Sequence, residues 1–130
     1  MVLSGDSKAG KAHADNALRA RDYSHAIVLY TTSIEACKEL ASEASELNFL
    51  ARMYSNRSSA HHKLQHFPCA LEDAIRCTET DPRFGKGWLR KGQALESMAR
   101  YSDAAEAIHR AKQSQPGEKM FEASTVTSRA

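Results

Sequence analysis

The stretch FGKGWLRKGQALESMARYSDAAEAIHRAKQSQP, residues 84–116, decides how the rest of the chain is read. Trp88, Gly92 and Leu95, then Tyr101, Ala104, Ile108 and Ala111, recur at steps of three and four residues. Such steps place side chains on one face of a helix. The stretch therefore predicts two helices joined by a turn at Ala99-Arg100. Pro116 ends the second, because proline has no amide hydrogen and constrains the residue before it. Lys86 and Arg90 stand four apart and project side by side, while Trp88, Leu89 and Leu95 are left to pack inward. Two cations on one helical face make a place for an anion.

The same order of residues occurs once more, 34 positions earlier. Asn56 pairs with Arg90, Ser58 with Gly92, Phe67 with Tyr101, Ala70 with Ala104 and Pro82 with Pro116. The earlier copy reads Tyr54, Ser58, His61, Phe67, Ala70, Ala74, Cys77, Pro82, with its turn at Leu64-Gln65-His66. A first copy, Gly10, Ala14, Ala17, Tyr23, Ala26, Tyr30, Ser33, lies 44 residues before the second and turns at Ala20-Arg21-Asp22. The extra residues fall between Ile34 and Asn48. They contain no Gly or Pro and are mostly good helix formers. They are expected to lengthen the second helix and the start of the third, with a break near Ala41 to Ser45.

Small residues recur where helices must approach closely: Ala14, Ser58 and Gly92 on one side, Ala26, Ala70 and Ala104 on the other. No single copy can bury its apolar face alone, so the three must stack. At 130 residues the chain is one domain. A net charge of +2, from 18 Lys plus Arg against 16 Asp plus Glu, is too balanced for a general nucleic-acid binder. The start of the chain lacks the apolar core of a signal peptide, and no apolar run reaches membrane-spanning length. Cys37, Cys69 and Cys77 form no CxxC pair and are read as free thiols of a reducing compartment. A soluble cytoplasmic protein without cofactor, nucleic acid or membrane partner is expected.

From about Lys8 to Pro116 the sequence resembles the tetratricopeptide repeat. The resemblance implies an all-α right-handed superhelix of three helix-turn-helix repeats, at about 7–40, 48–82 and 83–116, in one domain over 1–116. Residues 117–130 would form a capping segment around Met120 and Phe121, or a disordered tail. In this fold the first helices of successive repeats line the concave face. The groove would then hold Lys11 and Asp15 from the first repeat, Asn56 from the second, and Lys86 and Arg90 from the third.

The motifs Tyr54-Ser55-Asn56-Arg57-Ser58 and Gly85-Lys86-Gly87-Trp88-Leu89-Arg90-Lys91-Gly92 are similar to those of the heat-shock organising co-chaperones. Members of that group grip the carboxylates of a chaperone tail ending Glu-Glu-Val-Asp in a carboxylate clamp. Lys11, Asn56, Lys86 and Arg90 match it. The resemblance implies a non-catalytic adaptor for the C-terminal tail of a 70-kDa or 90-kDa class heat-shock chaperone. The residue types suit that task. Arg can fork two hydrogen bonds onto a carboxylate, Lys supplies mobile charge, and Asn donates without adding charge.

Asp15 departs from the pattern, for the family has Asn there. An ionised Asp only accepts hydrogen bonds and repels a carboxylate. The lost hydrogen bond costs about 1.5–3 kcal/mol. Repulsion at about 4 Å adds up to roughly 4 kcal/mol at an effective dielectric near 20. Either Lys11, one turn away, holds Asp15 aside, or the neighbouring Asn16 turns in. Two other functions stay open: a scaffold whose partner has no free C-terminal carboxylate, with Asp15 as its support, and a targeting module of a larger enzyme.

Remaining polar residues fit structural roles. Arg52 and Arg57 read as surface or stabilising residues, and Trp88, Tyr54, Tyr23, Phe67 and Tyr101 as core. His62 and His66 share helical spacing, yet no HExxH or carboxylate ligand accompanies them, and His61 falls on a packing position. Neither Cys69 nor Cys77 has a base placed beside it. No metal site and no catalytic centre is expected.

Overall fold

The computed structural model describes residues 5–114, which form six helices and, among the described residues, no strand. They are α1 (Gly5–Arg19), α2 (Tyr23–Cys37), α3 (Ala44–Lys63), α4 (Phe67–Thr80), α5 (Gly85–Ser97) and α6 (Tyr101–Ser114). Helices α1 and α2, α3 and α4, and α5 and α6 pack as antiparallel pairs. Successive pairs stack α2 on α3 and α4 on α5, and the first helices touch in turn, α1 to α3 and α3 to α5. Those three helices form one continuous face.

Each pair turns in the same way. Arg21, Gln65 and Ala99 take φ of 63°, 63° and 62°. Behind them Asp22, His66 and Arg100 donate backbone hydrogen bonds to Ala17, His61 and Leu95 at 2.9, 2.8 and 2.9 Å. A left-handed residue followed by this long backward bond closes a helix and satisfies its last carbonyls. The motif stands at the same place in every repeat although none of the three residues is glycine.

The insertion lengthens α2 to Cys37 and starts α3 at Ala44. The break covers residues 38–43, earlier than the expected Ala41 to Ser45. Capping chemistry sets it there. The Glu46 carboxylate reaches back to accept from the backbone N–H groups of Ser42 and Glu43 at 3.1 and 3.2 Å, which makes Ala44 and Ser45 the first turn.

The small-residue positions hold the pairs close. Ala14, Ala26, Ala70 and Ala104 are fully buried. A Cβ at Gly92 would stand 2.6 Å from Ile108 Cδ1 and 3.2 Å from the Ala104 carbonyl oxygen. At the equivalent Ser58 the hydroxyl donates to the Ala70 carbonyl at 2.7 Å. Leu89, Leu95 and Tyr54 are buried as expected.

Trp88 packs against Leu89, Ile108 and Ala111 as expected, but not as a fully buried core residue. It is only half-buried, with the cations of Lys91 and Arg110 over its ring at 5.4 and 5.0 Å and its indole N–H donating to the Pro82 carbonyl at 2.9 Å. Cation–π cover replaces apolar cover on that side. Tyr23, Phe67 and Tyr101 are likewise half-buried rather than core. Arg57 is structural: it forks onto Asp73 at 2.9 and 2.6 Å across α3 and α4. No described helix is long and apolar enough to cross a membrane. The expectation for Met120 and Phe121 lies outside the described residues.

Candidate functional site

Helix α5 brings its cations to the continuous face through a close approach to α4. A Cβ on Gly87 would lie 2.7 Å from Cys77 Sγ and 3.3 Å from Thr78 Cγ2, so α5 can seat here only without a side chain. Lys86 and Arg90 flank that contact. Arg90 donates through Nη1 to Gln93 Oε1 at 3.1 Å, while its Nε is buried with no acceptor among the described residues. Burial lowers the pKa of Lys86, and repulsion from Arg90 and Arg52 lowers it further. Burial also lowers that of Arg90. Both are strained as cations, as expected where charge gathers without a counter-ion.

Arg52 of α3 joins them. Its Nε donates to Asn48 Oδ1 at 2.7 Å, and its guanidinium lies 5.0 Å over the Phe84 ring at the entrance to α5. Asn48 in turn donates to Asp81 at 2.8 Å, so that carboxylate steadies the linkage and not the cations. Among the described residues no carboxylate pairs with Arg52, Lys86 or Arg90.

The opposite end of the face is organised differently. Asp15 accepts from Lys11 Nζ at 2.8 Å on one oxygen. On the other it accepts from Asn56 Nδ2 at 3.1 Å and from the Tyr30 hydroxyl. Lys11 also lies 5.9 Å over the Phe49 ring of α3. Lys11 does hold Asp15, but not aside: the carboxylate stays between Lys11 and Asn56, two of the expected site residues. Asn16 turns outward to accept from Arg19. Burial, then the hydrogen bond to Asp15, raises the pKa of the Tyr30 phenol, which stays a proton donor.

Arg52 and Asn56, four apart on α3, join the two ends along one side of that helix. The structure thus gathers Lys11, Asp15 and Asn56 at one end and Lys86 and Arg90 at the other. It adds two residues that the sequence reading assigned elsewhere. Tyr30 stood there only as a marker of the first repeat, and its partner lies 15 residues away on another helix. Arg52 was set beside Arg57, although its spacing to Asn56 is a signal that separates them.

No group of three metal-capable side chains occurs among the described residues. His62 Nε2 lies 2.8 Å from Ser97 Oγ, and His61 sits 3.8 Å from Asp73. Burial pushes the Cys77 thiol up to about 12, which removes its nucleophilic form.

No protein-family model matches the chain. Over 120 residues it is 32% identical to the small glutamine-rich tetratricopeptide repeat-containing protein 2 of Mycosarcoma maydis, covering 92% of this chain and 31% of that protein. Over 56 residues it is 46% identical to the Hsp70-Hsp90 organizing protein of Triticum aestivum, covering 43% of this chain and 10% of that one. The structure superposes on the Sgt2 TPR domain from Aspergillus fumigatus with a TM-score of 0.81 at 27% identity, covering 95% of this chain and 76% of the other. The chain is a tetratricopeptide-repeat domain. As in that fold, the α1, α3 and α5 face of this tetratricopeptide-repeat superhelix is its groove. The domain spans less than a third of each curated relative named here.

Proposed function

We propose that the domain is a non-catalytic co-chaperone adaptor of the cytoplasm whose groove binds the acidic C-terminal tail of a heat-shock chaperone of the 70-kDa or 90-kDa class. Lys11, Asp15, Asn56, Lys86 and Arg90 form the peptide site, with Arg52 beside them. The observation that carries the reading is the cluster of Arg52, Lys86 and Arg90, three cations converging on the groove with no described carboxylate to compensate them. An anion seated there relieves their mutual repulsion. The Hsp70-Hsp90 organizing protein among the relatives supports the choice of partner. Apolar groove positions read the residues upstream of the tail's end, and ordering a flexible tail keeps the affinity modest.

Calorimetric titration with a peptide ending Glu-Glu-Val-Asp and with its C-terminally amidated twin tests this. The free acid binds more tightly, Lys86→Ala and Arg90→Ala each abolish measurable binding, and added salt weakens it. Equal binding of the two peptides, or none, would sink the reading. Asp15 favours a second reading, in which the partner offers no free C-terminal carboxylate. Equal binding of both peptides is its signature.

A further inference from the structure

We propose that Asp15 is an internal ligand. It occupies the Lys11 and Asn56 end of the groove permanently and leaves a single anion seat, formed by Arg52, Lys86 and Arg90, to receive the partner's terminal carboxylate. The inference rests on the tail-binding reading and names the form of tail that the site takes.

Both carboxylate oxygens of Asp15 are committed, one to Lys11 and the other to Asn56 and Tyr30. These three donors satisfy most of what a carboxylate can accept. The positive charge of Lys11 is cancelled 2.8 Å away, with both side chains largely shielded from water. A carboxylate arriving at this end would meet donors already in use and a like charge beside them. At the other end the three cations have no described counter-ion, and a buried Arg90 N–H has no acceptor among the described residues. The two ends therefore differ in what they offer: an acceptor at Asp15, and donors with net positive charge at α5.

The preferred tail carries its anionic charge at its terminal residue, in the α5 seat. It presents a hydrogen-bond donor, such as a backbone N–H or side-chain amide, toward Asp15. A tail with a second acidic group at that point binds less well. The selectivity is a property of this chain, because Asn at position 15 would leave Lys11 and Asn56 open to a second carboxylate.

The test follows side-chain N–H resonances of the wild-type domain during titration with the Glu-Glu-Val-Asp peptide. The Arg90 Nε–H signal moves to saturation, while the Asn56 amide pair stays in place because its bond to Asp15 persists. Movement of the Asn56 signals in step with binding overturns the inference, and so does binding that leaves Arg90 unmoved. Affinities of Asp15→Asn, Lys11→Gln and the double variant form a cycle. Asp15→Asn tightens binding, and Lys11→Gln costs at least about fivefold more in the Asp15→Asn background than in the wild type. Equal costs in the two backgrounds overturn the inference while leaving tail binding intact. If the wild type binds the acid and amidated peptides alike, or neither, the tail reading has failed and takes this inference with it.

Discussion

Gly87 is where backbone packing and binding site meet, and Gly87→Ala tests both. In a helix, alanine is preferred over glycine by up to about 1 kcal/mol, less in a first turn where Gly87 stands. Against this, the new Cβ would sit 2.7 Å from Cys77 Sγ, well inside the roughly 3.5–4.0 Å of an ordinary contact. Cys77 is fully buried, and Thr78 closes the other side at 3.3 Å. Overpacking of this kind costs about 1–3 kcal/mol, so the net effect is a loss of roughly 1–2 kcal/mol. For a domain of this size that lowers the unfolding midpoint by on the order of 5 °C. Because α5 must move off α4, affinity for an acidic tail falls as well.

Cys77→Ala removes the atom in the way. In the double variant the methyl group added at position 87 enters the space left by the sulfur, and the two changes compensate by roughly 1–2 kcal/mol relative to their sum. Thermal and urea unfolding of the four proteins measure this directly. If Gly87→Ala alone matches or exceeds wild-type stability, or if the two costs simply add, the close-approach argument is wrong.

Ala99→Gly relieves a left-handed residue at φ 62°. With the glycine entropy cost subtracted, it should gain about 0.5–1 kcal/mol in urea unfolding. Asp73→Ala leaves Arg57 without its forked partner in a pair whose side chains are 16% and 4% exposed, and should cost about 3 kcal/mol in the same assay. Burial lowers the pKa values of His61 and His62 below the ordinary histidine value of 6.5. The unfolded chain therefore takes up these protons first as pH falls. Stability present above 6.5 is lost through the window below it, and His61→Gln should flatten part of that loss in unfolding midpoints taken across the range. The Lys86 pKa is held below the lysine value of 10.5, so tail affinity should drop at a lower alkaline pH than an ordinary lysine would allow. Lys86→Arg should move the drop upward in titrations repeated at rising pH.

The repeat architecture could be read from the chain because its signals are local. Alanines at three- and four-residue steps, prolines at helix ends and the 34-residue return of Phe67 at Tyr101 each report on one helix or turn. Lys86 and Arg90 share a face for the same reason. The start of α3 was less legible, since its N-terminus is fixed by a side chain reaching back from Glu46 and not by Gly or Pro.

By itself the sequence determined three helix pairs and their turns, properties that helical geometry fixes within a few residues, while the residues expected at the groove came from the family resemblance. Only the tertiary structure decided how those residues are used. Asp15 meets Tyr30 and Asn56 across 15 and 41 residues of chain, and Gly87 owes its role to a sulfur on another helix. Whether a carboxylate repels a ligand or stands in for one depends on which donors surround it. Lys11 is a turn away on the same helix, but Tyr30 and Asn56 are brought to Asp15 by the stacking of α1, α2 and α3, which no local spacing reveals.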